Sequence, residues 1–511
     1  MRLLAAILGL LALCTATAVG LRAYRAVAQA RSRPETIYVE SVPAKKTPPP
    51  PKPAPPPPPP PKPAPPPPPP HRSLAEHWLK AKAITLELPT KRLPIPTPLP
   101  PERAQPGFRI RGIKGLAWTP EQYLPEIPVM AKYKLNFLMN CYLTLYRITG
   151  PGVAGLVNEW WLPLPAEKRE GLERVVQACK DHGIEFCFSM NPAFLSPRPL
   201  RYEDPQDVEA LWQHYDWMQG LGVKWFSLAL DDVPQETQAK AQAGLANDFL
   251  VRLRARDPDA QLIFCPSIYW GEGGPGHAYL VELGKNLAPD IYVFWTGHYI
   301  YSNRVTRGAA AAFRRFIPHK LIFWDNLCDD VDPHLMLGPV WHAPDLCEQV
   351  EGYMMNSHRF ARELNRIPML TVADYAYNPW DYDPARAIGQ AILHMADTPA
   401  QREALRELVE AYPGRWYTAG IRAPFRSPLI KRFYDALGTV RPPAIPEGDL
   451  SEAAEALWRL RDLAERFAKQ FPGRYAATKE VLATHLDLMQ QAYDHRVGCW
   501  PPNQGPPRIL W

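Results

Sequence analysis

At 511 residues the chain has room for one large domain with accessory regions or for two to three smaller ones, and it carries 62 prolines, eight cysteines and a formal net charge of +6. Lysine and arginine are scattered among the acids rather than gathered into a stripe, which argues against nucleic acid as a partner. The cysteines are irregularly spaced with no Cys-x-x-Cys, which argues against a zinc site and a dense disulfide framework, and Cys141, Cys187 and Cys265 lie in apolar runs where a free cysteine acts as a small buried hydrophobe.

Met1-Arg2 is followed by an apolar run from Leu3 to about Leu21, the pattern of a secretory signal. Residues 1–30 therefore read as a signal peptide or a membrane anchor. Ala16-Thr17-Ala18 and Ala28-Gln29-Ala30 both suit cleavage, while the run is nearly long enough to span a bilayer, so membrane attachment through this segment stays open. Export to the periplasm, the cell envelope or the medium is the expectation. Residues 31–107 read as a Pro-rich linker. From Pro48 to Pro70 the chain is almost all proline with Lys and Ala interspersed, a polyproline II spacer that reaches roughly 70 Å at about 3.1 Å per residue.

From Phe108 onward short apolar runs alternate with amphipathic stretches, the signature of repeated β/α units. Strands are expected near Ile110 to Leu116, Leu135 to Leu143, Ile184 to Met190, Trp225 to Leu230, Leu262 to Pro266, Ile291 to Trp295, Leu321 to Trp324 and Gly352 to Met355. Helices are expected over Ala166 to His182, Asp204 to Gly220 and Gln235 to Asp257. The fold class is thus α/β: a (β/α)8 TIM-like barrel over residues 108–398. A helical C-terminal region over residues 399–511 follows, with amphipathic stretches at Pro399 to Tyr412, Ser451 to Phe471 and Ala476 to Tyr493, and Thr398 as the N-cap of the first. The tail from Gly498 to Trp511 is Pro-rich and irregular.

Lys224 to Val233 is an almost unbroken apolar run that ends in Asp231-Asp232. Such a run reads as a strand buried on both faces, and chemistry in a parallel barrel sits at the C-terminal strand ends. The competing reading is an N-cap for the next helix. Other strand ends carry Tyr269, Trp295-Thr296-Gly297, Trp324-Asp325-Asn326 and Asn356. Aromatic walls with amide and carboxylate groups on one face suit a sugar, because rings stack on its apolar faces while polar groups read its hydroxyls. No His or Cys cluster at ligand spacing accompanies them, so neither a metal nor another cofactor is expected.

In order along the chain, Met139 to Leu143, Phe226 to Val233, Cys265 to Tyr269, Trp295 to Gly297, Trp324 to Asn326, Leu337 to Pro339, Asn356 and Val372 to Pro379 resemble glycoside hydrolase family 84, the β-N-acetylglucosaminidases that include the O-GlcNAcases. The resemblance runs from about Arg109 to Gly414. It implies hydrolysis of β-linked N-acetylglucosamine on a glycan or glycoconjugate, with the substrate's own acetamido oxygen as nucleophile. By the family's pattern Asp231 polarises the acetamido N–H and Asp232 is general acid, then base. Two carboxylates this close are expected to push one pKa up. Tyr269 would bond the acetamido oxygen, Thr296 and Trp324 would form the pocket, and Asn326, Asp330 and Asn356 would bind hydroxyls, with Gly115 among the substrate-binding positions.

The chain also departs from the family. Its first strand ends in Lys114-Gly115-Leu116-Ala117 where Glu-Gly-Phe-Tyr-Gly is expected, and Leu145-Tyr146-Arg147-Ile148 replaces Ala-Pro-Lys-Asp, leaving Arg147 as the stand-in for a sugar-binding lysine. Asn356 is followed by Ser357 rather than proline. The alternative function is a non-catalytic glycan-binding barrel of the cell envelope, against which stands the retention of both carboxylates.

Overall fold

The computed structural model describes residues 106–150, 155–233, 238–271, 277–302, 304–327, 335–357, 362–414, 427–438 and 450–496. The apolar leader, the proline tract, Asp330 and the C-terminal tail lie outside these.

Eight parallel strands close into a barrel: β1 (Ile110–Gly115), β2 (Phe137–Met139), β5 (Glu185–Met190), β6 (Trp225–Ala229), β7 (Gln261–Cys265), β8 (Tyr292–Trp295), β9 (Leu321–Asp325) and β10 (Gly352–Ser357). A short antiparallel pair, β3 (Arg147–Ile148) and β4 (Leu156–Val157), is inserted after β2. Closure comes at β1, which pairs with β10 from Ile110↔Gly352 to Gly115↔Ser357 and with β2 at Gly112↔Phe137. Nearly every barrel-strand residue is buried because one face packs into the barrel and the other under helices, and this is why most of the strands read as apolar runs, β1 with Arg111 and Lys114 being the exception.

The helices α1 (Pro120–Tyr123), α2 (Ile127–Lys132), α3 (Ala166–Asp181), α4 (Pro205–Gly220), α5 (Ala239–Arg256), α6 (His277–Asn286) and α7 (Arg307–Phe313) lie between strands. Asp204 caps α4 by accepting from Gln206 N at 2.9 Å and Asp207 N at 3.3 Å. After β10 come α8 (Arg366–Tyr377), α9 (Pro384–Met395), α10 (Pro399–Ala411), α11 (Pro428–Leu437), α12 (Ser451–Gln470) and α13 (Ala476–Arg496). Thr398 and Gln401 form a capping box at α10. The core is continuous from Phe108 to Ala492. Polar ties reinforce it: Arg366 forks onto Glu126 at 2.8 and 3.0 Å, and Tyr133 Oη meets His394 Nδ1 at 2.7 Å.

The second strand is shorter than the expected Leu135 to Leu143. After Met139 the Asn140 side chain takes over the pairing with β5, accepting from Ser189 N at 2.8 Å and donating to Ser189 O at 2.9 Å. The chain then tightens into a 3-10 turn over Tyr142–Leu145.

Candidate active site

The strand ends converge on a cavity of about 210 Å3 whose lining includes Asp231, Asp232, Tyr269, Thr296, Trp324, Asn326 and Asn356. Its size suits a single sugar ring rather than a chain.

Strand β6 ends at Ala229, so Asp231 and Asp232 belong to the turn beyond it. Leu230 N still bonds Cys265 O at 2.9 Å and carries the pairing one step past the strand. Asp232 then adopts φ 60°, a left-handed conformation that aspartate tolerates, and this turn sends the two neighbouring carboxylates into different surroundings. Asp231 is buried and Asp232 exposed. Strand alternation is therefore not what separates them.

Asp231 is held by groups from two other strand ends. Tyr142 Oη donates to its Oδ2. Asn191 Nδ2 donates to its backbone oxygen at 3.0 Å and to its Oδ1 at 3.2 Å. Asn191 is itself fixed, since its Oδ1 accepts from Ala193 N at 3.1 Å and Phe194 N at 2.9 Å. Burial first, and then the charges of Asp231 and Asp232, push the Tyr142 phenol well above its usual pKa, so it remains a neutral donor. Tyr269 Oη donates to Asp232 Oδ1 at 2.9 Å, and burial followed by Asp232 and Asp231 raises its pKa in the same way.

Trp324 forms a wall, edge-on to Phe294 with ring centroids 4.8 Å apart. Asn326 Nδ2 donates to Ile300 O at 2.8 Å and Asn356 Nδ2 to Asn326 Oδ1 at 3.1 Å, so the two amides are oriented together. Thr296 Oγ1 donates to Tyr299 O at 2.9 Å. Its neighbour Gly297 has φ 94°, and a Cβ there would stand 2.5 Å from Ser302 Oγ. Asp325, turned from the cavity side of its neighbours, accepts from His342 Nε2 at 3.0 Å and from Tyr353 Oη, while His342 Nδ1 accepts from Val305 N at 3.0 Å. That acceptor role at Nδ1 puts the imidazole proton on Nε2, and the network ties β9 and β10 together beneath Trp324 and Asn326.

Two expected positions lie elsewhere. Gly115 is not part of the cavity lining: its N–H donates to Tyr123 Oη at 3.2 Å and its carbonyl accepts from the same hydroxyl at 2.9 Å. Arg147 points into solvent and forks onto Glu159 at 2.7 and 3.0 Å, so it does not stand in for a pocket lysine. Asp330 is outside the described residues. Conversely, Lys114, Tyr142 and Asn191 were given no role by sequence reasoning. Asn191 was findable, since it directly follows β5 as Asp231 nearly follows β6. Among the described residues no group of three His, Cys, Asp or Glu side chains is placed to hold a metal ion.

A closed parallel barrel with a ring-sized, carboxylate-bearing cavity at its C-terminal edge defines a sugar-processing (β/α)8 protein. The family model described as beta-N-acetylglucosaminidase matches residues 110–410, more than half of the chain, and the chain belongs to that family of glycoside hydrolases. Protein O-GlcNAcase from Rattus norvegicus is 23% identical over 284 residues, covering 52% of this chain and 29% of the relative. The Mus musculus protein of the same name matches over the same 284 residues at 23% identity. The chain thus spans less than a third of the length of these curated relatives. A mutant of the Thermobaculum terrenum O-GlcNAc hydrolase is similar in structure with a TM-score of 0.60 at 21% identity, covering 76% of this chain and 84% of that one. A solved structure titled CpGH84B gives a TM-score of 0.56 at 20% identity, covering 77% and 69%. These two likenesses concern the fold.

Proposed function

We infer that the protein cleaves β-linked N-acetylglucosamine from a glycan or glycoconjugate by a substrate-assisted, retaining mechanism. The observation that carries this reading is the unequal setting of two adjacent carboxylates: Asp231 buried and held by Tyr142 and Asn191, Asp232 exposed on a left-handed turn beside Tyr269. Neighbours in the chain are poorly disposed to attack a sugar from opposite faces, as an acid and an enzyme nucleophile would have to. A nucleophile supplied by the substrate removes that requirement.

In the first step the acetamido oxygen bonds to the anomeric carbon while the glycosidic C–O bond breaks. Asp232 gives its proton to the departing oxygen, and Asp231 accepts a hydrogen bond from the acetamido N–H and balances the positive charge that develops on the forming oxazoline. In the second step water adds at the anomeric carbon, Asp232 takes its proton, and the ring C–O bond of the oxazoline breaks to return the acetamide. Tyr269, which donates to Asp232, would exchange that bond for one to the acetamido oxygen when substrate binds. Asn326 and Asn356 supply oriented amides for hydroxyls.

Asp232→Asn is expected to slow aryl N-acetylglucosaminides with poor leaving groups by about 10²- to 10⁴-fold while sparing those that leave without a proton. Asp231→Asn is expected to depress the whole leaving-group series, because it weakens the nucleophile common to all. Equal and mild effects of both, in variants that melt normally, would remove the catalytic assignment and leave a non-catalytic glycan-binding barrel as the better account.

A further inference from the structure

Lys114 stands at the end of β1, in register with Asn356, and lines the cavity with 2% of its surface exposed. Its ammonium lies 4.0 Å from the centre of the Trp324 ring and 4.9 Å from that of Tyr142. Among the described residues it makes no hydrogen bond and has no carboxylate within the 4.0 Å of an ion pair. The ionisable acids of the cavity are engaged otherwise, Asp231 by Tyr142 and Asn191, Asp232 by Tyr269. The indole Nε1 of Trp324 is also buried without an acceptor among the described residues. Two donors, one of them charged, therefore sit side by side with no described group to donate to.

Cation–π contact offsets part of the cost of burying an ammonium, but a buried charge is normally paired. Glutamine or methionine would fill the same space without that cost. We propose that Lys114 reads an anionic substituent on the substrate sugar, so that the pocket takes an acidic N-acetylhexosamine in preference to a plain one. A carboxylate, sulfate or phosphate brings both the counter-charge and several acceptor oxygens, whereas a hydroxyl can accept but brings no counter-charge. The inference rests on the cavity being the sugar site of the preceding reading. It makes Lys114 a specificity determinant and assigns it no part in bond cleavage.

The test compares 4-methylumbelliferyl β-glycosides of N-acetylglucosamine, of its 6-sulfate and 6-phosphate, and of its 3-O-lactyl ether on the purified protein. At least one acidic glycoside is expected to exceed the neutral one tenfold or more in kcat/KM, and Lys114→Met is expected to reduce that ratio at least tenfold. Which acid wins identifies the substituent. A neutral glycoside cleaved as well as every acidic one, or a ratio unchanged in Lys114→Met, overturns the proposal while leaving the hydrolase reading intact. If no glycoside is cleaved, the hydrolase reading fails instead, and calorimetry on the unaltered protein decides this one: N-acetylmuramic acid or N-acetylglucosamine 6-sulfate or 6-phosphate is expected to bind at least tenfold tighter than N-acetylglucosamine, and equal affinities refute it. The same titration on the unaltered protein also covers the case in which Lys114→Met does not fold.

Discussion

Tyr142 gives Asp231 the donor that keeps a buried carboxylate in place, and it reaches across 89 positions of sequence to do so. A hydrogen bond to a charged group contributes about 1.5–3 kcal/mol, so Tyr142→Phe is expected to lower kcat/KM by roughly ten- to a hundredfold. The loss should be uniform across leaving groups, since Tyr142 acts as a positioning residue through Asp231. A normal melt with a leaving-group-dependent loss would contradict that assignment. The asymmetry matches what was legible in the sequence. The acid pair stood out because a strand buried on both faces ends abruptly in charge. The groups that differentiate the two acids were not legible, because Tyr142 and Asn191 arrive from other strand ends, and the left-handed φ of Asp232 follows from the turn's closure rather than from any neighbouring glycine. Lys114 was visible only as a missing acid. Its place over two rings is a property of the closed barrel.

Among the elements, most barrel strands could be read because burial on both faces writes a local apolar run, although β1 carries Arg111 and Lys114 within it. Helix α8 could not, for a related reason: nearly all of it is buried, so it carries no polar face and no 3.6-residue period. Helix α11 escaped notice although Ser427, Pro428 and the left-handed Gly438 mark its two ends, because ten residues give too short a period to stand out. Gly115, next to the cavity-lining Lys114 on β1, shows how a residue can serve a site without entering it. A Cβ on Gly115 would fall 2.1 Å from the Trp118 ring, itself buried against Tyr123, whose hydroxyl bonds both backbone groups of Gly115. Gly115→Ala is therefore expected to destabilise the fold by about 1–3 kcal/mol or more, measured by denaturant unfolding. Stability within about 0.5 kcal/mol of the unaltered protein would show that Trp118 moves freely, and would reopen a direct role for Gly115 in binding.

At the scale of the whole molecule the barrel and the helices after it share one core, so a titration that loosens either is read out in the melting of both. Two buried histidines set its direction. His214, on the buried face of α4, bonds Trp160 O through Nε2 at 2.9 Å, and His319 before β9 bonds Leu287 O at 3.2 Å. Burial is the largest cause holding both pKa values below the usual one, with Arg169 adding to it at His214. Below about pH 6.5 the unfolded chain binds protons at these positions that the folded chain refuses. Stability is thus complete above that pH, falls as pH drops toward the lowered folded values, and loses nothing further from these groups once they are passed. Asp207 works in another window: its hydrogen bond from Arg201 is the main cause of its lowered pKa, so its contribution is present above about pH 3.9 and is lost only below it. Between pH 7 and pH 5 these two histidines therefore contribute a fall in stability as the pH drops. His214→Gln keeps a donor for Trp160 O but cannot titrate, and is expected to flatten the fall in unfolding free energy by up to about 1.4 kcal/mol per pH unit, one proton's worth. The measurement is chemical denaturation of both proteins at half-unit steps from pH 7.5 to 5. Parallel curves for the two would mean that His214 takes up its proton in the folded state as readily as in the unfolded one, and that burial beside Trp160 does not hold it neutral.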